Sequence, residues 1–532
     1  MHEPRHLRTR TGAWPGRDSF VRVVLVGMYD TNTVSLAPQV LRAVAEPVAA
    51  EHGHVVEVLE FSIFSDSVDT MAARIAALRP DAVGFSCYVW NHRQVLALAG
   101  MLECTIVVGG PHVTGIEREL LASNPGIDIV VTGEGETVFV QLLEHWAGLR
   151  PLDAVPGITT RELRTEPARP TDLASIPPLQ ARIARESPHI TWLSFETSRG
   201  CPMRCGYCTW SQSRRMRYYP LEHVLAELDV ILTNPRISEV YFCDSSLLFD
   251  KRRAIAILDH IIASGSSTPF RYEFSAEQLD DEVIERMARL PTNEFNFGIQ
   301  TVNPAALEVM GRRFDRALFE SRYHAFVRAL PDARVTVDLI YGLPGDDLTG
   351  YVTSIDYAMS LPSVSRILTN PLLVLPGSRF FRDRDALGLT LAADGSYMVE
   401  SNGTFSASDM AAARRFSFYL GLLYLNTALR DALLDLAQRS GRSPAETMIG
   451  FFESLPSPLV DDDYPATIPS TTEGFERRNR AMGTALGRFP EIVSAFVEST
   501  GDRYAGLRES YADAFGPQYH KYVRFAEPGN PR

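Results

Sequence analysis

Along residues 21–146, short runs of consecutive apolar residues alternate with stretches whose apolar positions recur every three to four residues. Apolar runs bounded by turn residues fit strands buried on both faces, and the helical spacing between them fits crossover helices. The pattern predicts strands over 21–26, 55–60, 82–86, 105–108 and 127–131, with helices over 39–51, 70–78 and 92–102. Strands joined through helices pair in parallel, so residues 20–150 read as a Rossmann-like, doubly wound α/β domain. Residues 151–188 lose the periodicity, and Pro156-Gly157 and Pro177-Pro178 interrupt it further, which reads as an interdomain linker.

A second series of alternating elements begins at 191. Strands are predicted over 191–195, 239–242, 271–275, 294–299, 335–339 and 367–373, and helices over 221–232, 252–263, 280–290, 304–310 and 351–360. Six such units predict a partial (β/α)6 barrel over 189–405, with ligands at the C-terminal ends of its strands. From 406 to 532 the pattern turns helical, with helices over 411–434, 444–452 and 490–497. Residues 1–19 carry Arg5, Arg8 and Arg10 without an apolar stretch and read as a disordered arm.

Composition narrows the function classes. With 52 basic against 65 acidic residues the net charge is -13, and no basic cluster is long enough to neutralise a run of phosphates, so no nucleic-acid partner is expected. No apolar run reaches the roughly 18 to 20 residues of a membrane span, so no membrane is expected either. The six cysteines include three within residues 201–208, which is not the spacing of a secreted disulfide framework, and a reducing, cytoplasmic setting is expected.

Those three cysteines carry the candidate chemistry. Arg199-Gly200-Cys201-Pro202-Met203-Arg204-Cys205-Gly206-Tyr207-Cys208 is a C-x3-C-x2-C run directly after the first strand of the second series. Thiolates on one short loop converge on an iron–sulfur cubane, and three of them leave one iron open. A structural zinc site usually draws on four ligands in paired spacings. Cys87, Cys104 and Cys243 sit on or beside predicted strands and read as buried residues.

The run and its place after a barrel strand resemble the radical S-adenosylmethionine (SAM) superfamily. The resemblance implies that Cys201, Cys205 and Cys208 hold a 4Fe-4S cluster whose open iron chelates SAM, and that reduction cleaves SAM to a 5′-deoxyadenosyl radical. It also implies SAM contacts from Tyr207, from Asp244 and Ser245 in Cys243-Asp244-Ser245-Ser246, and from Glu277 after the third strand. Gln300, in Gly298-Ile299-Gln300-Thr301, and Asp338, which opens Asp338-Leu339-Ile340-Tyr341-Gly342-Leu343-Pro344-Gly345, complete the set. The segment Cys243-Asp244-Ser245-Ser246 departs from the family's common Gly-Gly-Glu form.

Three strand-end loops of the first domain carry small or polar residues: Ser86-Cys87-Tyr88, Gly109-Gly110-Pro111-His112 and Gly133-Glu134-Gly135-Glu136. Ligands of open α/β sheets bind at this edge, and no G-x-G-x-x-G follows the first strand to mark a dinucleotide site. These loops resemble the cobalamin-binding domain joined to many radical SAM enzymes. The resemblance implies cobalamin contacts from Ser86, Cys87, Gly109, Gly110, His112, Gly133 and Glu134. The loop after the first strand reads Met28-Tyr29-Asp30-Thr31-Asn32-Thr33 and lacks the histidine that many cobalamin domains direct at cobalt. His112 lies after the fourth strand and reads as structural or as a contact to the nucleotide tail.

Together these features resemble class B, cobalamin-dependent radical SAM methyltransferases. In that family one SAM supplies a methyl group to cobalamin, and the radical from a second SAM activates the substrate, which then takes methyl from methylcobalamin. The implied substrate is a small-molecule intermediate of bacterial secondary metabolism, such as antibiotic biosynthesis, methylated at an unactivated carbon or a phosphinate phosphorus. The implied partner is an external electron donor of flavodoxin or ferredoxin type. Candidate lining residues are Tyr88, Trp90, Trp210, Arg214, Tyr272 and Tyr341; Arg214, Arg215 and Arg217 form either an anion site or a solvated basic patch. Two other readings stay open: a cobalamin-containing radical SAM rearrangement or cyclisation enzyme, and a non-catalytic cobalamin sensor or carrier.

Overall fold

The apolar runs of the first segment become the strands Arg22–Tyr29, Val55–Ser62, Ala82–Ser86, Thr105–Gly109 and Ile129–Val131 in a computed structural model, which describes residues 20–29, 33–292, 294–460 and 472–516. The arm expected at 1–19 lies outside the described residues. All five strands pair in parallel, in the order second, first, third, fourth, fifth. Alternate side chains supply two cores: Val24, Val26, Val83 and Ile106 pack on one face, and Val23, Leu25, Val107 and Trp146 on the other. Because the second and third strands lie on opposite sides of the first, the strand order reverses beside Tyr29 and Ser86, where open α/β sheets form their ligand crevice.

Residues 151–188, expected as a connection, belong to the first compact unit, 1–188. Ile158–Thr159 adds a sixth strand antiparallel to Ile129–Val131, with Val155 and Ile158 buried in the core. A two-residue edge strand leaves no periodicity in the sequence, and prolines at a sheet edge do not prevent pairing.

The second unit, 189–532, is built on parallel strands taken in chain order: Trp192–Phe195, Glu239–Phe242, Phe270–Arg271 continued by Glu273–Phe274, Glu294–Gln300, Arg334–Tyr341 and Val364–Pro371. The third position is interrupted at Tyr272, which splits the array into three- and four-stranded arcs. Residues of the helical region pack after it, but the single helix expected over 411–434 is two, Ala407–Leu423 and Thr427–Ser440. Buried Asn426 makes the break: its side chain accepts from Leu429 N at 3.0 Å and donates to Tyr511 O at 2.8 Å. With neither Gly nor Pro at the break, this stop is set by a contact 85 residues away. Among the described residues no helix is long and apolar enough to cross a membrane.

Candidate functional site

The cysteine loop leaves the first barrel strand and is closed at its base by antiparallel pairing of Ser198–Arg199 with Arg217–Tyr218. Cys201 N donates to Ser213 O at 2.9 Å, and Ser245 Oγ donates to Gly200 O at 2.6 Å. Gly206 N donates to Met310 O, and Phe380 N donates to Gly206 O, both at 2.8 Å. Two glycines permit this packing. A Cβ on Gly200, whose φ is +101°, would lie 2.4 Å from Arg215 O, and one on Gly206 would lie 2.5 Å from the Phe380 ring. Loops from several barrel positions therefore pin the backbone that carries the thiols.

Cys201 and Cys205 are buried, Cys208 is half-buried, and none of the three forms a disulfide. Burial pushes the Cys201 thiol above the usual range. Among the described residues no three His, Cys, Asp or Glu side chains are gathered closely enough to hold a metal ion as they stand. The donor chemistry nevertheless fits an iron–sulfur cluster: three soft thiols on one pinned loop, to be closed on a common centre by rotation about Cα–Cβ.

Arg312, absent from the sequence candidates, stands at this loop. Its Nη1 is 4.0 Å from Cys205 Sγ and its Nη2 donates to Gly298 O. Burial would lower its pKa, but the facing Tyr207 and Cys205 raise it on balance, so the guanidinium stays charged. It follows the helix Pro304–Met310 and its left-handed cap Gly311, a position that no strand or motif pattern marks.

The expected SAM residues divide. Tyr207 lies against the thiols, its phenol pushed up first by burial. Asp244 accepts from Thr197 N at 3.1 Å, Thr197 Oγ1 at 2.8 Å and Ser198 Oγ, so it ties the start of the cysteine loop to the second strand; burial raises it to about 6. Ser245 clasps Gly200, and Glu277 accepts from Ser275 Oγ. Gln300 adopts φ +71° at a register shift, with its amide over Gly298, where a Cβ would lie 2.6 Å from Nε2. Asp338 is pushed to about 7 by burial and then by the charge of Glu273, with Arg366 opposing. Glu273, accepting from Tyr241 OH at 3.4 Å, was not among the sequence candidates; its signal is an acid flanked by two aromatic residues, Tyr272 and Phe274. Tyr272 and Tyr341, expected as lining residues, are core: Tyr272 packs against Phe242, Phe274 and Phe295, and Tyr341 against Tyr351. Trp210, Arg214 and Arg215 are exposed.

In the first unit, Asn91 fixes the loop after the third strand by accepting from Tyr88 N at 2.8 Å and donating to Ser86 O at 2.9 Å. Trp90 stacks on Tyr88 with ring centroids 4.4 Å apart and meets Tyr29 edge-on at 6.0 Å. Cys87 is packed, its thiol pushed up to about 12 by burial, and its backbone explains Gly110: a Cβ there would lie 2.6 Å from Cys87 O. Gly110→Val is therefore expected to force the two loops apart and cost about 1–3 kcal/mol, read as a lowered thermal midpoint of the first unit. Gly133, by contrast, has φ +89° and open space where a Cβ would stand, and Gly109 meets Val131 only at ordinary contact distance. The open space at Gly133, on the sheet edge where ligands of such domains bind, fits the approach of a bulky group such as cobalamin. Glu134 is turned to the chain instead, accepting from Thr171 N at 2.8 Å.

His112 is buried and stacked on His92 at 4.6 Å, which places it in the packing of this unit. Burial, then His92, lowers its pKa from 6.5 to about 3. A depressed histidine withholds a proton that the unfolded chain takes up below 6.5, so stability should fall as pH drops from 6.5 toward 3. The slope from this group is at most about 1.4 kcal/mol per pH unit. Urea titrations of wild type and His112→Phe at pH 7 and pH 5 should show the larger acid loss in wild type; equal losses would contradict this account.

Comparison with known proteins agrees with this geometry. Residues 31–143 match the B12 binding domain and residues 195–358 the Radical SAM superfamily. The chain is 29% identical over 303 residues to 2-(S-pantetheinyl)-carbapenam-3-carboxylate methyltransferase of Streptantibioticus cattleyicolor, covering 51% of this chain and 43% of that one. It is 25% identical over 257 residues to the cobalamin-dependent radical SAM methyltransferase TokK of Streptomyces tokunonensis, covering 42% and 36%. The fold resembles the cobalamin-dependent SAM radical enzyme OxsB, with TM-score 0.63 at 14% identity over 95% of this chain and 83% of that one. The chain thus spans about half or less of these two curated relatives. Fold and matches define the class as an α/β protein that joins a B12 binding domain to a radical SAM domain. Within that class the chain is similar, over part of its length, to proteins named as cobalamin-dependent radical SAM enzymes.

Proposed function

We propose that the chain is a cobalamin-dependent radical SAM methyltransferase acting on a small molecule of bacterial secondary metabolism, at an unactivated carbon or a phosphinate phosphorus. The observation that carries the reading is the pinned three-thiol loop beside charged Arg312, in one chain with a B12 binding domain. When bound, cluster, SAM and cobalamin supply the radical and the transferable methyl group.

The residues have distinct tasks in this reading. Cys201, Cys205 and Cys208 hold the cluster. Arg312, fixed on Gly298 O, offers a charge-assisted contact for the carboxylate of SAM. Asp338, with its pKa near 7, serves as either donor or acceptor to a hydroxyl, and Glu273 and Gln300 add polar contacts. Asp244 and Ser245 position the cysteine loop rather than the ligand. Ser86, Gly109 and Gly133 receive cobalamin, and a soluble one-electron carrier of flavodoxin or ferredoxin type supplies the electron. A reducing cytoplasmic setting would keep the thiols free. The carbapenam and TokK relatives bear methyltransferase names, which supports methyl transfer over rearrangement.

Anaerobically reconstituted protein is expected to contain iron, sulfide and cobalamin and, with substrate, to form methylated product with S-adenosylhomocysteine and 5′-deoxyadenosine. A rearranged, unmethylated product without S-adenosylhomocysteine would refute methyl transfer, and absence of SAM cleavage would refute the enzyme reading.

A further inference from the structure

The sequence around the cysteine loop inverts the charge of the protein. Between Glu196 and Glu222 there is no carboxylate, yet the segment holds Arg199, Arg204, Arg214, Arg215 and Arg217 within a chain of net charge -13. Arg204, Arg214 and Arg215 are exposed and, among the described residues, make no ion pair. Two large apolar side chains stand out of the same loop, Met203 at 37% and Trp210 at 46% exposure. Arg, Trp and Met are the residue types enriched where proteins meet, so this patch differs from the rest of the acidic surface in both charge and chemistry.

The patch is also within one residue layer of the thiols. Ser213 O accepts from Cys201 N at 2.9 Å, and the Arg215 carbonyl would lie 2.4 Å from a Cβ on Gly200, so the Arg214-Arg215 backbone runs against the loop that carries Cys201. Arg204 lies between two of the cysteines, and Trp210 follows Cys208 by two residues.

We propose that Arg204, Arg214 and Arg215, with Met203 and Trp210, form the docking surface for an acidic one-electron carrier protein that reduces the cluster. The inference rests on the cluster reading given above. An acidic carrier is repelled by the net charge of this chain at long range and attracted by the carboxylate-free arginine segment, so electrostatics favours an orientation that brings its redox group next to the thiols. Redox encounters of this kind are small and transient, and a few arginines around exposed apolar anchors suffice for them. In the step itself the carrier is oxidised by one electron and the cluster reduced by one; no bond of the protein is made or broken.

The test compares two reductants on reconstituted full-length protein, following cluster reduction by absorbance and electron paramagnetic resonance. With reduced flavodoxin at about 50 mM salt, Arg204→Gln/Arg214→Gln/Arg215→Gln should reduce about tenfold more slowly than wild type, and the gap should close as salt rises to about 500 mM. With reduced methyl viologen, a small cation that needs no docking surface, both proteins should reduce at the same rate. Trp210→Ala should slow flavodoxin alone, at every salt concentration. An unchanged flavodoxin rate overturns the proposal. Equal slowing by both reductants also overturns it, because the arginines then serve the cluster, and so does normal reduction with lost product, because they then hold an anionic substrate. Failure of wild type to be reduced by methyl viologen would instead strike the cluster reading itself.

Discussion

Cys205→Ala is expected to abolish 5′-deoxyadenosine formation, a loss of at least three orders of magnitude by analogy with removal of an essential catalytic group, while the protein still binds cobalamin. Cys205 is the buried middle thiol of the loop, the one facing Arg312 at 4.0 Å, and two thiols cannot hold three corners of a cubane. The loop should survive the change, since its hydrogen bonds run through Gly206 N, Cys201 N and Gly200 O rather than through the Cys205 side chain. The B12 binding domain lies in the other compact unit and has its own cores. Iron and sulfide content, chromatographic deoxyadenosine and the cobalamin spectrum check the three parts separately. Continued SAM cleavage by this variant would remove the basis of the functional reading.

Arg312→Gln should weaken SAM binding tenfold or more and slow its cleavage, with cluster iron retained. The guanidinium combines a hydrogen bond to Gly298 O with proximity to Cys205 and Tyr207, and glutamine supplies neither the charge nor the fork. A charged hydrogen bond contributes about 1.5–3 kcal/mol, which corresponds to roughly ten- to hundredfold in affinity. Arg312→Lys should recover part of the binding if charge is the operative property. Unaltered SAM affinity in Arg312→Gln, measured by equilibrium dialysis with reconstituted protein, would assign Arg312 a purely structural role.

Much of this organisation was legible in the sequence. Short runs rich in apolar and aromatic residues between turn signals mark strands, so Ala82–Ser86 and Glu239–Phe242 have the bounds the sequence predicts. The cysteine loop was legible because its three thiols are adjacent in the chain. Residues brought in from elsewhere left no such mark. Arg312 reaches Cys205 across 107 positions, and Glu273 faces Asp338, itself a sequence candidate, from a different strand.

By itself, then, the sequence determined the two α/β series, the thiol trio and the glycine-rich strand ends, because each is encoded in local periodicity or local spacing. Only the tertiary structure decided that Asp244 braces the loop, that His112 is stacked on His92, that Gly110 answers to Cys87, and that the helical region breaks at Asn426. The physical reason is the same each time: burial and hydrogen-bond partners are properties of contacts between distant segments, which no local pattern records.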